Sequence, residues 1–345
     1  MADQRILSPT ATVPDEDEQT LSLRPSSMDQ YIGQEEMVNR LRIAIEAAKQ
    51  RNEPLDHVLL HGPPGLGKTT LAHVIAHEMN SRVHMTSGPA LNKGMDLVGV
   101  LTRIEARDVL FIDEIHRMPI SVEEFVYPAM EDFRIDVRTE SGPHARTVQI
   151  ACKPFTLIGA TTRAGLLSSP LRSRFGIVHH IRYYEPAELR AIVHRNAQLL
   201  DMPMADDGCI DLIASRSRGT PRIANRLLRR VRDFAQVRAN GSTDAKVVED
   251  ALGLEGVDAL GLDELDRKYL RAIAGVYQGG PVGLEAIAAT MNEDAGTLED
   301  VVEPYLLQIG FLARTRRGRM MTRSAADHLH LKITLPDDQS LFSAE

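Results

Sequence analysis

The sequence has little cysteine, no tryptophan and no long apolar run. Its two cysteines, Cys152 and Cys209, are far apart and outside any Cys-x-x-Cys spacing, which excludes a disulfide framework and a structural zinc site. No apolar stretch is long enough to cross a bilayer, and the N-terminus lacks the basic and apolar pattern of a signal peptide. These absences predict a cytoplasmic protein with no membrane partner.

The chain also has no excess of positive charge. The chain has 40 lysine and arginine residues against 48 aspartate and glutamate residues, a net charge of −8, so any surface that binds nucleic acid must be local. The remaining composition is ordinary for a globular protein, with 43% hydrophobic and 26% charged residues. A chain of 345 residues predicts about two to three domains.

A glycine-rich loop carries the first chemical signal. Residues 62–69 have the spacing Gly-x-x-x-x-Gly-Lys-Thr, between an apolar run and a helical pattern. Small residues let backbone N–H groups surround phosphates at the N-terminus of the helix that follows. The spacing predicts a Walker A loop that binds ATP, with Lys68 at the β- and γ-phosphates and the Thr69 hydroxyl on Mg²⁺. The residues assigned to nucleotide binding in this loop are Gly62, Gly65, Gly67, Lys68, Thr69 and Thr70.

Polar residues follow two further apolar runs that predict buried parallel strands. The run at 109–112 ends in Asp113 and Glu114, a Walker B pattern that delivers two carboxylates to the carboxyl end of a strand, where such sheets bind ligands. We expect Asp113 to hold Mg²⁺ and Glu114 to polarise the attacking water. The run at 156–159 precedes Thr161 and Thr162, either of which could place a hydroxyl beside that water; capping of the strand end is the alternative.

Two arginines stand in later loop or helix-start segments. Arg174 lies within Leu-Arg-Ser-Arg-Phe-Gly at 171–176, and Arg222 ends Gly-Thr-Pro-Arg at 219–222. A guanidinium can neutralise charge that develops on the γ-phosphate, and a neighbouring subunit that supplies it couples hydrolysis to assembly. A generic surface arginine is the other interpretation of each.

The chain after Pro186 is mainly helical in pattern. A helix from Pro186 and helical pattern through 223–237 predict a small helical unit. Three helices and two strands around a glycine-containing turn then predict a winged helix, with Thr297 opening a capping box at the third helix. The predicted segments are helices at 263–276, 284–291 and 297–308 and strands at 311–314 and 320–322.

The domain prediction follows from this order of elements. An α/β domain with a parallel sheet is predicted at 21–184, a small helical domain at 185–255 and a winged-helix domain at 256–335. Residues 1–20, which include an acidic cluster, are predicted to be a flexible tail, and 336–345 a C-terminal tail.

A basic cluster occupies the predicted wing. Five arginines lie within ten residues that contain no acid: Arg314, Arg316, Arg317, Arg319 and Arg323. Such a wing would neutralise backbone phosphates and bind DNA with little sequence specificity, which suits a protein that travels along DNA. A solvated basic turn is the alternative interpretation.

The ordered set of motifs resembles that of the AAA+ ATPases and, within them, is similar to the RuvB family of Holliday-junction branch-migration motors. The resemblance runs from about Leu21 to the end of the winged helix. Beyond the Walker A loop it rests on Leu-Arg-Pro at 23–25, Tyr-Ile-Gly-Gln at 31–34, Asp-Glu-Ile-His at 113–116, Gly-Ala-Thr-Thr-Arg-Ala-Gly at 159–165, and the segments at 171–176 and 219–225.

The resemblance implies an AAA+ P-loop core with a parallel sheet, a helical lid and a C-terminal winged-helix head. It implies homo-hexameric rings on duplex DNA at Holliday junctions, working with RuvA and the resolvase RuvC in recombination, DNA repair and the SOS response. The segment at 133–150 falls where that family carries a hairpin that contacts RuvA, and its alternating apolar residues around Ser141-Gly-Pro143 fit a hairpin. Ordinary core strands are an equally good interpretation.

Residue roles also follow from the resemblance. It places Leu23, Arg24 and Tyr184 at the nucleotide base, and it favours Thr162 as sensor 1, with Thr161 remaining possible. It makes Arg174 the finger that acts in trans and Arg222 the sensor 2 arginine. Arg314 and Arg319 become the DNA contacts. The catalytic set is then Lys68, Asp113, Glu114, Thr162, Arg174 and Arg222.

Two other functions are compatible with an ATPase core. A protein-remodelling ATPase usually threads its substrate past an aromatic pore residue, yet no aromatic residue lies between Tyr31 and Phe111. An ATP-switched DNA-binding regulator would not need Glu114 or Arg174 for turnover, and the arginine cluster favours phosphate over base contacts. The sequence therefore predicts an ATP-driven DNA motor.

Overall fold

The computed structural model describes residues 23–138 and 147–333. The predicted tails at 1–20 and 336–345 and the turn Ser141-Gly-Pro143 lie outside the described residues. The chain divides between Ile192 and Val193 into two compact units. None of the helices in the two described stretches is long and apolar enough to span a membrane.

The first unit is built on a parallel sheet of five strands in the order β2-β3-β6-β1-β7. The strands of this unit, in chain order, are β1 (Val58–His61), β2 (Val83–Ser87), β3 (Val109–Asp113), β4 (Arg134–Arg138), β5 (Thr147–Ala151), β6 (Thr156–Thr161) and β7 (Ile177–His180). The three predicted strands form the centre of the sheet, where both faces are covered and side chains are almost fully buried. The carboxyl ends of β1, β3 and β6 meet at one edge.

Helices pack on this sheet and return the chain to its amino edge. They are α1 (Glu35–Arg51), α2 (Lys68–Glu78), α3 (Gly94–Leu101), α4 (Ile120–Glu131), α5 (Ser169–Arg172) and the start of α6 (Pro186–Leu199). In α4, Val122, Val126 and Ala129 recur at helical spacing and enter a core cluster with β3. His57, just before β1, ties the end of α4 to the amino edge, because its Nε2 donates to the Met130 carbonyl oxygen at 3.0 Å.

The segment around 133–150 forms a separate antiparallel pair, β4 with β5, outside the parallel sheet. Ile135 pairs with Ile150 and Val137 with Val148, the alternation on which the hairpin prediction rested. The antiparallel pairing expected of a hairpin is therefore confirmed, and Ile135 is also fully buried in the core cluster of this unit, so the core interpretation holds in part.

The second unit contains the helical segment and a winged helix. Its remaining elements are α7 (Asp207–Ser215), α8 (Pro221–Arg238), α9 (Ala245–Leu254), α10 (Glu264–Tyr277), α11 (Leu284–Met291), α12 (Ala295–Thr297), a π-helical turn (Leu298–Val302), α13 (Glu303–Gln308), β8 (Leu312–Thr315), β9 (Gly318–Met321) and α14 (Arg323–His328). The strands β8 and β9 pair antiparallel and form the wing. A buried cluster joins α10, α11 and α13 to this wing.

The predicted third helix of the winged helix begins elsewhere than expected. Asp294, not Thr297, is the N-cap: its side chain accepts a hydrogen bond from the Thr297 N–H at 2.8 Å. The expected single helix at 297–308 is also interrupted by the π-helical turn. The cause is Pro304, which has no N–H to donate to the carbonyl four residues earlier, so the ladder widens just before it.

Candidate functional site

The predicted Walker A loop connects β1 to α2 and depends on glycine at three positions. Gly62, Gly65 and Gly67 have φ values of 146°, 80° and 92°, in the range that side chains with a Cβ rarely adopt. A Cβ on Gly62 would also lie 2.3 Å from the Ile181 carbonyl oxygen. The loop therefore leaves its backbone open at the N-terminus of α2, the geometry that accepts phosphate groups.

Lys68 is the first residue of α2 and is buried. Its Nζ donates to the carbonyl oxygens of Gly62 at 2.9 Å and Pro63 at 2.8 Å. These contacts hold the ammonium group inside the loop, where it adds a full positive charge to the partial charges of the backbone N–H groups. The site therefore fits a polyphosphate such as that of ATP.

Of the residues predicted at the nucleotide base, Tyr184 lies beside this loop. Leu23 is buried and Arg24 half-buried, and the Tyr184 hydroxyl lies 3.4 Å from the Leu66 carbonyl oxygen within the loop. Tyr184 also lies 3.2 Å from the hydroxyl of Tyr31, a contact that sequence reasoning missed although Tyr31 belongs to the recognised motif. Burial raises the pKa of Tyr31 to about 12, so its hydroxyl stays neutral into the alkaline range where an exposed tyrosine would ionise.

The predicted Walker B carboxylates end β3 at the same edge of the sheet. Asp113 is the last residue of β3, and one of its oxygens accepts from the Glu114 N–H at 3.0 Å. Glu114 has a φ of 46°, a left-handed conformation that is strained for a residue with a side chain. Gly88 permits it, since a Cβ there would lie 2.4 Å from the Glu114 carbonyl oxygen.

Two side chains contact the Glu114 carboxylate, and a third contacts one of these two. Thr162 donates its hydroxyl proton to Glu114 Oε2 at 3.1 Å, and His116 Nδ1 lies 3.1 Å from the same oxygen. Thr161 contacts the imidazole instead, with its Oγ1 at 2.9 Å from His116 Nδ1. His116 has no role among the sequence predictions, although its place two residues after the glutamate indicates that it lies at the same edge.

No group of three or more histidine, cysteine, aspartate or glutamate side chains that could hold a metal ion occurs within 23–138 and 147–333. A Mg²⁺ ion that accompanies a nucleotide takes most of its ligands from phosphates and water and needs one or two protein oxygens. The Thr69 hydroxyl in the first turn of α2 and the Asp113 carboxylate at the end of β3 are donors of that kind. The site therefore fits a magnesium nucleotide without a dedicated metal cage.

Arg174 lies toward the opposite edge of the sheet from these groups. It stands three residues before Ile177, the first residue of β7, whose N–H donates to the His57 carbonyl oxygen at 3.1 Å. Its Nη2 lies 3.2 Å from a carboxylate oxygen of Glu131, the last residue of α4. Arg174 is thus placed at the amino edge, whereas the Walker A loop lies at the carboxyl edge of the same sheet.

Arg222 belongs to the second unit and is the second residue of α8. The helix concentrates positive charge: burial, and the charges of Arg222, Arg229 and Arg230, lower the pKa of Arg226 to about 10. Such mutual repulsion of guanidinium groups is relieved by an anion. This face of α8 is therefore rich in positive charge.

Arg314 and Arg319 occupy directly paired positions on β8 and β9. Both contact Glu303, which is fully buried: Arg314 Nε lies 2.8 Å from one carboxylate oxygen and Arg319 Nε 2.9 Å from the other. The Tyr269 hydroxyl donates to the same carboxylate at 2.6 Å. Glu303 thus offsets a cross-strand pair of like charges that would otherwise repel.

The turn of the wing presents different arginines. Arg316 and Arg317 lie between β8 and β9 and are exposed. Neither makes an ion pair with any residue in the part of the chain that the structure describes. These two guanidinium groups are therefore the cations of the wing whose charge is not already offset.

Three family models match nearly all of the described chain. Residues 23–181 match the family model for the Holliday junction DNA helicase RuvB P-loop domain, 184–258 the RuvB AAA lid domain, and 259–330 the RuvB C-terminal winged helix domain.

Relatives that match most of the chain, and a solved structure, carry the same family name. The chain is 56% identical over 314 residues to the Holliday junction branch migration complex subunit RuvB of Kosmotoga olearia, covering 91% of this chain and 92% of that protein. It is 55% identical over 331 residues to the subunit of the same name from Pediococcus pentosaceus, covering 96% and 98%. The solved structure of the Thermotoga maritima RuvB Holliday junction branch migration motor matches with a TM-score of 0.83 and 52% identity, over 91% of this chain and 100% of that one. The chain belongs to the RuvB family of AAA+ P-loop ATPases.

Proposed function

We propose that this chain is an ATP hydrolase whose turnover moves duplex DNA and thereby drives branch migration of Holliday junctions. One observation carries the proposal: Lys68 and the Glu114 carboxylate lie at the same edge of one parallel sheet, in a chain that also carries a winged helix with a cationic turn. ATP turnover and a DNA contact in one molecule are the two requirements of such a motor.

Hydrolysis rests on positioning and electrostatics. Lys68 binds the β- and γ-phosphates, and Glu114 orients and polarises the attacking water. Thr69 and Asp113 would hold the Mg²⁺ ion that accompanies the nucleotide, and the ion would offset phosphate charge. Thr162 acts as sensor 1, because its hydroxyl contacts Glu114 directly whereas Thr161 contacts His116.

Arg174 serves the nucleotide of a neighbouring subunit. Its position at the amino edge of the sheet, opposite its own Walker A loop, supports action in trans. A closed ring satisfies this requirement for every subunit at once, and we propose a homo-hexamer. Arg222 acts as sensor 2, contributing a lid cation to the bound nucleotide.

The partners follow from the same assignment. We propose that the β4–β5 pair within 133–150 contacts RuvA, that RuvC acts on the same junctions, and that Arg314 and Arg319 contribute to the DNA surface. The setting is cytoplasmic recombination and repair, including the SOS response. The functional parts are an ATPase domain at 21–184, a lid at 185–255 and a head at 256–335.

ATPase and strand-exchange assays test the proposal together. The protein is assayed without DNA, with linear duplex, and with a four-way junction plus RuvA, and the Lys68→Ala variant is the matched control. We expect DNA to stimulate ATP hydrolysis and the junction to be converted into products only with ATP. Lys68→Ala should lose nucleotide binding and both activities, since it removes the cation inside the phosphate loop.

Two outcomes contradict the motor. If DNA does not change the rate of ATP hydrolysis and the junction stays intact, the protein is an ATPase with another substrate, such as a protein. Junction binding that needs ATP but no hydrolysis would indicate an ATP-switched DNA-binding protein.

A further inference from the structure

The guanidinium of Arg174 is held by side chains of α4. It lies over the ring of Tyr127, with its central carbon 4.4 Å from the ring centroid. Nη1 donates to the Pro170 carbonyl oxygen at 2.7 Å, and Nη2 lies 3.2 Å from Glu131. Nε is buried and has no hydrogen-bond partner in the described part of the chain. The side chain is therefore ordered, but its donors are incompletely satisfied within one subunit.

Tyr127 is itself fixed from two sides. Its hydroxyl donates to Glu123 at 2.8 Å and lies 3.2 Å from the Ser168 hydroxyl, and Ser168 also donates to Glu123. Ser168 is the N-cap of α5, the short helix that leads to Arg174. One buried carboxylate on α4 thus locks the ring to the segment that carries the arginine.

The contacts that hold Arg174 are of a kind that an anion can outcompete. A guanidinium over an aromatic ring and a half-exposed ion pair are both weaker than charge-assisted bonds to phosphate oxygens. Glu131 is 56% exposed, so its pairing with Arg174 is screened by water. The arrangement can therefore orient the arginine in one subunit without preventing it from reaching a phosphate on another.

The same helix begins close to the hydrolytic centre of its own subunit. Ile120, the first residue of α4, follows Glu114 by six positions, and Tyr127 and Glu131 lie two and three turns further along. α4 thus runs from one ATP site toward the arginine that serves the next site.

We propose that Tyr127 and Glu131 are positioning residues that hold Arg174 in the orientation required by the nucleotide of the adjacent subunit. This rests on the proposed trans role of Arg174. Its distinctive consequence is that loss of Tyr127 or Glu131 impairs hydrolysis at the neighbour's site and not at the site of the altered subunit.

Mixed rings separate these two sites. Protomers with Glu114→Gln, which are hydrolytically inactive, are mixed in excess with unmodified protomers, so that turnover reports the unmodified sites. The same mixture is then prepared with Glu114→Gln combined with Tyr127→Leu, with Tyr127→Phe, or with Glu131→Gln. Glu124→Gln, on an exposed glutamate of the same helix, is the matched control for loss of an acid.

We expect Tyr127→Leu to lower kcat at the unmodified sites about tenfold below the Glu114→Gln mixture, with KM for ATP unchanged, because ground-state binding does not need the arginine. Tyr127→Phe keeps the ring and should retain most of the turnover. Glu131→Gln should give a smaller loss, and Glu124→Gln none. Because Glu131 is exposed, its variant carries the test even where Tyr127→Leu unfolds.

The reference is a mixture with Glu114→Gln combined with Arg174→Ala. If that mixture is inhibited but neither Tyr127→Leu nor Glu131→Gln lowers turnover, Tyr127 and Glu131 do not position the finger. If the Arg174→Ala mixture itself equals Glu114→Gln alone, the trans role in the proposed function is wrong.

Discussion

His116 contacts the Glu114 carboxylate, and we expect its removal to have a large effect on hydrolysis. Its ring is almost completely buried and lies between Thr161 at 2.9 Å and the Glu114 carboxylate at 3.1 Å. Glu114 already has a strained backbone, so its side chain depends on such neighbours for a single orientation. In the proposed mechanism, a shift of this carboxylate by a fraction of an ångström would change where the attacking water is held.

We therefore predict that His116→Ala lowers kcat for ATP about tenfold while KM stays unchanged, the pattern expected when an interaction matters only in the transition state. His116→Asn should recover part of the rate, since its amide can occupy the position of Nδ1. Steady-state ATPase kinetics check both, with the exposed His77→Ala as control. A rise in KM, or an asparagine variant no better than alanine, would contradict a positioning role.

At the scale of single elements, the wing divides its arginines between two tasks. Glu303 holds Arg314 and Arg319 against the body of the winged helix, whereas Arg316 and Arg317 are exposed at the turn. Removal of Arg314 leaves a fully buried carboxylate with fewer donors, an arrangement that costs about 1–3 kcal/mol. Arg316 and Arg317 make no ion pair with Glu303, so their removal should not cost stability in this way.

The prediction is that Arg316→Ala with Arg317→Ala weakens duplex binding for all sequences and reduces the slope of log K against log salt by about 2, one for each phosphate that an arginine no longer neutralises. The melting temperature should not change. Arg314→Ala should lower both the affinity and the melting temperature. Anisotropy titrations at several salt concentrations measure the slope, and Arg238→Ala, an exposed arginine outside the winged helix, controls for loss of charge. An unchanged slope in the double variant would place the DNA surface elsewhere.

The parallel sheet shows which elements a sequence reveals. The three strands predicted from apolar runs, β1, β3 and β6, are the central strands, covered on both faces. The two that were missed, β2 and β7, are the edge strands, and their polar residues such as His84 and His180 reflect partial exposure. Edge strands lack a continuous apolar run because only part of each is buried, so pattern alone does not separate them from loops.

The candidate site also contains residues whose place could be predicted from the sequence and residues whose place could not. The positions of Lys68, Asp113 and Glu114 at one edge of the sheet were predictable because phosphate and metal binding need residues at fixed spacing within one loop or strand end. Tyr127 and Glu131 were not, because their relation to Arg174 arises from packing between segments more than 40 residues apart. Thr297 illustrates a local error: Asp294 three residues earlier offered an equally good cap, and Pro304 broke the helix that the periodicity predicted.

At the scale of the whole molecule, the second unit contains a buried link between the lid and the winged helix. Arg218, directly before the Gly-Thr-Pro-Arg motif, donates from Nε to the Gly261 carbonyl oxygen at 2.7 Å and pairs with Asp266, whose side chain is fully buried. Its guanidinium lies 4.9 Å from the ring centroid of Tyr305 on α13. Arg218 matches the lid family model, whereas the other three match the winged-helix model.

This link fastens the segment that ends in Arg222 to the winged helix, which carries the proposed DNA contacts. In the proposed motor, this link would transmit movement of the lid to the winged helix. Breaking a buried ion pair from one side costs about 3–5 kcal/mol, because it leaves a charge without a partner. Arg218→Met should therefore melt well below the unmodified protein, and adding Asp266→Asn should restore part of the difference, since the amide is neutral and still accepts the Asp263 N–H.

The double variant, Arg218→Met with Asp266→Asn, isolates the mechanical role of the link from its contribution to stability. Its ATP hydrolysis without DNA and its affinity for duplex should be close to those of the unmodified protein, because neither residue is among those assigned to nucleotide binding and neither lies in the wing turn. Strand exchange per ATP hydrolysed should fall, since the head can now lag behind the lid. Parallel measurement of phosphate release and junction conversion gives this ratio. If the ratio is unchanged in a double variant that has recovered its stability, the buried pair only stabilises the fold, and force must reach the DNA by another route.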